Sequence, residues 1–211
     1  MINSSKLIAI DGPDGSGKTE LVVHLADKIS KSGMSVDIFS GYFLPVSFHD
    51  TLMESKGNLV RMDKSMPEDV EQTIYTLEWL AKLKTELSTK LNLNNFVLCD
   101  RYLLSRFALA SLQGSQTSKN ILQSAIDNKN IYKPTLNLLL MANPDISYQR
   151  ILKRSKARGI NVEIKEQPKQ LEVIYNSFNE VQKCVPWTIN RIDAKQDELA
   201  VFENALEYIE I

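Results

Sequence analysis

Residues Gly12-Pro13-Asp14-Gly15-Ser16-Gly17-Lys18-Thr19 follow the spacing G-x-x-x-x-G-K-[ST] directly behind the apolar run Leu7 to Ile10. Glycines at 12, 15 and 17 let the backbone curl, so that successive N–H groups converge on the oxygens of a nucleoside triphosphate. Lys18 adds a positive charge and Thr19 offers a hydroxyl to Mg²⁺. The helix expected to begin there turns its positive dipole end towards the same oxygens. The whole stretch is a candidate phosphate cradle.

A cradle serves kinases, GTPases and motors alike, so the residues at the carboxyl ends of the other strands decide the chemistry. The apolar run Phe96 to Cys99 ends in Asp100-Arg101-Tyr102. Asp100 can hold Mg²⁺ through water, and Arg101 can neutralise phosphate oxygens, which are the two kinds of charge that phosphoryl transfer needs. A guanine-reading N-K-x-D motif does not occur, since Asn128-Lys129-Asn130-Ile131 departs at its last position.

The elements that must hold these groups alternate along the chain. Strands are expected at Leu7 to Ile10, Val36 to Phe39, Phe96 to Cys99, Leu136 to Met141 and Trp187 to Ile192. Helices are expected over Thr19 to Lys31, Pro67 to about Leu91, a segment ending near Leu112, Ile121 to Asn128, Ile146 to Lys156, Lys169 to Lys183 and Asp197 to Ile209. The long helix from Pro67 is read with Val70, Ile74, Leu77, Leu80 and Leu87 on its apolar face. Ser40 to Ser65 reads as a loop with a short helix near Ser47 to Glu54, and Gln113 to Ser118 as a polar connector. The basic segment Arg154 to Pro168, broken by Gly159, reads as a flap. This alternation predicts an α/β fold: a five-stranded parallel sheet in a three-layer arrangement, with helices on both faces and a short lid at about 154–168.

At 211 residues the chain suits one domain over 1–211. Lys plus Arg number 25 against 26 Asp plus Glu, so no general attraction to nucleic acid or an anionic membrane is expected and the partner should be small. Cys99 and Cys184 suggest neither a disulfide framework nor a thiolate metal site, which fits a reducing, cytoplasmic setting. No membrane span or signal peptide is expected. His24 and His49 are far apart, and ordinary packing is the expected role for each.

With these motifs in place, the chain resembles the thymidylate kinase family of nucleoside monophosphate kinases over nearly its full length. Asp14-Gly15 matches the family's G-x-D-G-x-G-K-[ST] loop, and Asp100-Arg101-Tyr102-Leu103-Leu104-Ser105 matches its D-R-[YFH] followed by Ser. Asn143-Pro144-Asp145-Ile146-Ser147-Tyr148-Gln149-Arg150 loosely matches its D-P-E-I-A-x-x-R turn, and Val173-Ile174-Tyr175 resembles the segment that carries a tyrosine near the acceptor sugar. The resemblance implies transfer of the ATP γ-phosphate to the 5′-phosphate of dTMP or a related pyrimidine nucleotide, with Mg²⁺. It implies that Lys18, Arg101, Asp14 and the basic residues Arg154 and Arg158 serve catalysis, since Gly15 stands where some relatives carry an arginine. By the same resemblance Gly12 to Thr19 and Arg150 hold ATP, and Thr19 and Asp100 hold the metal. Relatives commonly form homodimers by packing helices, and the long helix from Pro67 could serve similarly.

The acceptor pocket departs from the family pattern. Ser40-Gly41-Tyr42-Phe43-Leu44-Pro45 replaces an arginine-containing loop, and Tyr75-Thr76-Leu77-Glu78-Trp79 replaces F-x-x-D-R. Tyr42, Phe43, Tyr75 and Trp79, with Arg101, Ser105 and Tyr175, are the candidate acceptor contacts, and a ring-walled pocket selects mainly by shape. A deoxynucleoside or other small-molecule kinase on the same scaffold and a non-catalytic ATP-binding relative remain as alternatives. The first generally carries E-R-S where this chain has Asp100-Arg101-Tyr102.

Overall fold

A computed structural model describes residues 5–41, 68–162 and 166–209. The expectations for the loop after residue 41, including Tyr42, Phe43 and the start of the long helix, lie outside these residues. In chain order the elements are β1 (Lys6–Asp11), α1 (Lys18–Lys31), β2 (Val36–Ser40) and α2 (Glu68–Lys82). A π-helical turn (Leu83–Leu87) joins α2 to α3 (Ser88–Leu93), followed by β3 (Phe96–Asp100), α4 (Leu103–Leu112) and α5 (Gln116–Asp127). Then come β4 (Leu136–Met141), α6 (Pro144–Arg158), α7 (Pro168–Val181), a 3₁₀ turn (Gln182–Cys184), β5 (Asn190–Asp193) and α8 (Glu198–Leu206).

The strands form one parallel sheet of five in the order β2-β3-β1-β4-β5. Alternation along each strand divides the core. Leu7 and Ala9 of β1, with Val97 and Cys99 of β3, face a layer that includes Trp79, Leu83, Phe107 and Phe178. Ile8 and Ile10, with Phe96 and Leu98, face Leu21, Leu25, Ile29, Val201 and Ala205 on α1 and α8. Covered on both sides, the inner strands β1, β3 and β4 read as near-continuous apolar runs, which is why they were recognisable. Among the described residues no helix is long and apolar enough to cross a membrane.

Several boundaries differ from expectation. The buried face of α2 is Gln72, Thr76 and Trp79, continuing through Leu83 and Leu87, while Val70 and Leu77 are exposed. The polar members are accommodated partly because the Thr76 hydroxyl donates to the Gln72 carbonyl at 2.9 Å. Helix α5 begins at Gln116 rather than Ile121, because Ser115 caps it: its Oγ accepts from the Ser118 N–H at 3.2 Å. Strand β5 begins at Asn190, where pairing with Leu138 starts, so Trp187 precedes the sheet. Helix α6 is capped by the Asn143 side chain, starts at Pro144 and runs until Gly159 adopts φ 65°. Arg154 therefore stands on the helix expected over Ile146 to Lys156, and Arg158, expected in the flap, stands on its last turn.

Candidate active site

The loop between β1 and α1 owes its shape to close approaches. A Cβ on Gly12 would lie 2.3 Å from the Leu140 carbonyl oxygen, and Gly15, at φ 75°, would place one 2.6 Å from that of Ser147. An arginine at position 15 would be strained and would require the loop or the backbone of α6 to shift. Gly17 (φ 90°) leads into α1 at Lys18. Lys18 is buried, and its Nζ donates to the Pro13 carbonyl at 2.7 Å and to Ser16 Oγ at 3.4 Å. Burial, reinforced by the charge of Arg101, lowers the Lys18 pKa from 10.5 to about 7.

Facing the loop is the end of β3. Thr19 Oγ1 donates to Asp100 Oδ2 at 2.8 Å, while Asp100 Oδ1 is buried and accepts no hydrogen bond among the described residues. Arg101 turns into the left-handed region (φ 72°) with its N–H on the Ile10 carbonyl at 2.9 Å. That turn lets its guanidinium pair with Asp14 and reach the Gly12 carbonyl at 3.4 Å. Asp14, Lys18, Thr19, Asp100 and Arg101 are thus brought together at the carboxyl ends of β1 and β3.

Beneath them lies Asp11, which sequence reasoning missed. Buried at the end of β1, it accepts from the Tyr102 N–H at 2.7 Å, the Ser105 N–H at 3.1 Å and the Ser105 hydroxyl. Burial pushes its pKa up, and the bonds from Ser105 and Tyr102 pull it back. Asp11 ties β1 to the first turn of α4, so Ser105 is engaged below the site. Its only sequence signal was its place between the strand and Gly12.

Around the cradle lies a cavity of about 430 Å³, lined by Asp14 to Leu21, Arg101, Arg150, Lys153, Arg154, Asp197, Glu198 and Val201. Arg150 clamps its wall, with donors on Ala194 O at 2.8 Å, Gln196 O at 2.8 Å and Gly15 O at 3.4 Å. Arg154 pairs with Glu166 at 2.6 Å. Arg158, exposed on the last turn of α6, is not among the lining residues. Lys153 and Glu166 were not singled out from sequence, because an exposed lysine and a lone glutamate carry no local pattern.

The acceptor candidates separate. Tyr75 donates from its hydroxyl to Glu71, one turn earlier, at 3.0 Å. The Tyr175 hydroxyl accepts from Arg191 at 3.4 Å, beside the edge strand β5. Trp79 is buried, with the Tyr102 ring edge-on at 5.5 Å and the Arg106 guanidinium over its face at 5.5 Å.

A family model described as thymidylate kinase matches residues 10–205. Curated relatives agree. The chain is 29% identical over 178 residues to a probable thymidylate kinase of Thermoplasma volcanium, covering 82% of this chain and 84% of that protein. It is 25% identical to the thymidylate kinase of Brachyspira hyodysenteriae over 97% of this chain and 93% of the relative. With the thymidylate kinase of Clostridium novyi it shares 24% identity over 99% of this chain and 100% of the relative.

Proposed function

Since this chain belongs to the thymidylate kinase family and is a nucleoside monophosphate kinase, we propose that it transfers the γ-phosphoryl group of ATP to the 5′-phosphate of dTMP or a closely related pyrimidine nucleotide. The observation that carries this reading is the convergence of Lys18, Thr19, Asp100, Arg101 and Asp14 around one cradle. Loop amides and Lys18 hold the β- and γ-phosphates, and Arg150 keeps the loop in register with α6. Arg101 neutralises the acceptor phosphate while Asp14 aims it. Arg154 and Arg158 approach from α6 over the transferring group, and closure there excludes water. Tyr75, Trp79 and Tyr175, with Tyr42 and Phe43 outside the described residues, complete the acceptor side in this reading, and Ser105 supports it through Asp11.

The donor set suits Mg²⁺. Asp100 keeps one buried oxygen that accepts no hydrogen bond among the described residues, beside the Thr19 hydroxyl. Mg²⁺ commonly takes one or two protein oxygens and fills its remaining positions with water and phosphate. When bound, the metal supplies positive charge to the β- and γ-phosphates.

The chain works as one domain over 1–211, with residues 154–168 as its lid, and in a reducing compartment that suits free Cys99 and Cys184. Exposed Val70 and Leu77 on α2 offer a face for a second copy.

The test is ADP release from ATP and Mg²⁺ with a panel of nucleoside monophosphates, nucleosides and modified pyrimidine nucleotides. Stimulation by dTMP or a close pyrimidine monophosphate is expected. Stimulation by nucleosides alone, or by nothing although ATP binds, would overturn the reading.

A further inference from the structure

Five cationic side chains line the cavity around the cradle: Lys18, Arg101, Arg150, Lys153 and Arg154. Four of them are engaged within the protein. Lys18 donates to the Pro13 carbonyl, and Arg101 pairs with Asp14. Arg150 directs its two terminal nitrogens at the carbonyls of Ala194, Gln196 and Gly15, and Arg154 pairs with Glu166. Lys153 alone of the five has no hydrogen bond or ion pair among the described residues. The carboxylates at the α8 end of the cavity are also committed elsewhere, since Asp197 accepts from the Ala200 N–H at 3.0 Å and Glu198 lies 3.3 Å from His24.

Helix α6 sets the place of this lysine. Ile151 and Ser155 are buried and fix the rotation of the helix, while Arg150 holds it against the loop at Gly15. Lys153 follows Arg150 by three residues, so it stands about 4.5 Å farther along the axis on the adjoining stripe of surface and borders the same cavity. An ammonium is a compact charge with three donors and no acceptor, and it binds phosphate oxygens as a point charge. An anion that draws on Arg101 or Arg154 must share each with a carboxylate, which offsets part of the gain. Lys153, exposed to solvent, exchanges only water.

We infer that Lys153 is a further donor-binding residue, the cation that meets the polyphosphate chain of the incoming nucleotide without sharing a carboxylate. This deepens the reading of the chain as a kinase that uses ATP and rests on it.

Calorimetric titration of the full chain with ATP and with inorganic tripolyphosphate, at fixed Mg²⁺ and at low and about 0.5 M salt, tests the assignment. Lys153→Met is expected to weaken both ligands by about three- to tenfold at low salt, with most of the difference gone at high salt, as for an exposed ion pair. Lys153→Arg keeps the charge and should bring both affinities back to within about twofold of the wild type. The ligand-free Lys153→Met protein should melt with the wild type, because a surface side chain without a partner among the described residues is removed. Should Lys153→Met fail to fold, Lys153→Gln decides by the same titrations. Unchanged affinity in the variant, a loss for ATP alone, a loss that persists at high salt, or a wild type that binds ATP but not tripolyphosphate overturns the assignment and leaves the kinase reading standing. If the wild type does not bind ATP, both fall.

Discussion

Thr19 Oγ1 donates to Asp100 Oδ2 across 2.8 Å, joining the first turn of α1 to the carboxyl end of β3. The contact lies at an exposed position, so its value is in placing two oxygens rather than in holding the fold. We expect Asp100→Asn to reduce turnover by about a hundredfold or more, because charge near the phosphates is lost. Its melting temperature should stay near that of the wild type. Initial rates across a Mg²⁺ titration check this, and a wild-type rate at every concentration would remove Asp100 from the metal site.

Lys18 makes nucleotide binding dependent on pH. With its pKa lowered to about 7, the amine of the free protein is largely neutral at pH 8, whereas phosphate oxygens favour the charged form. ATP binding at pH 8 should therefore take up a proton, and affinity should fall by up to about tenfold per unit as pH rises above 7. Between about 7 and 10.5 the unfolded chain binds a proton that the ligand-free folded chain does not, so folding stability should rise with pH across that window. Calorimetry in buffers of different ionisation enthalpy measures the uptake. In Lys18→Ala the uptake should vanish together with turnover; persistence of either removes Lys18 from that role.

Arg101 adopts φ 72°, a conformation that costs a non-glycine residue about 1–2 kcal/mol. Arg101→Gly should therefore be more stable than Arg101→Ala by roughly 1 kcal/mol. Both should lose at least about a hundredfold in rate with the phosphate-facing charge. Denaturant melts and steady-state rates separate the two effects. Near-normal turnover in either variant would exclude Arg101 from the mechanism.

Gly15 cannot be exchanged for an arginine that supplies charge from the loop. Its Cβ would lie 2.6 Å from the Ser147 carbonyl oxygen, at φ 75°. Gly15→Arg should lose about 2 kcal/mol or more of stability and gain no rate. A stable, faster variant would show that the loop and α6 separate more easily than their packing implies.

Trp79→Arg would place a second guanidinium against that of Arg106, which now covers the Trp79 ring. Removing a buried tryptophan costs about 3–5 kcal/mol before the repulsion is counted. The variant should therefore melt well below the wild type without improved use of dTMP. Increased dTMP turnover in a folded Trp79→Arg protein would mean that the acceptor pocket tolerates charge on α2.

Much was legible because it follows local rules. Ile8, Ile10, Leu138 and Leu140 sit in strands covered on both faces, so their runs could be recognised without knowing their neighbours. The glycines and Lys18 obey a spacing that backbone geometry imposes on any phosphate loop. The face of the long helix was read correctly at Leu80 and Leu87 but not earlier, where Gln72 and Thr76 are buried while Val70 and Leu77 are exposed, a choice made by packing against α4 and α5 rather than by hydrophobicity. Asp11 and Arg106 went unnoticed because neither belongs to a pattern on its own.

The chain's order of residues determined by itself the parallel α/β plan, the cradle at Gly12 to Thr19 and the charged strand end at Asp100-Arg101, since strand runs, turn glycines and helix caps act between near neighbours. Only the tertiary structure decided that Asp14 meets Arg101, that Thr19 meets Asp100, that Asp11 anchors α4 and that Arg106 lies on Trp79. Those pairs are distant in sequence and meet only when the parallel strands align in register with Ile10 opposite Asp100, and no local periodicity encodes that meeting.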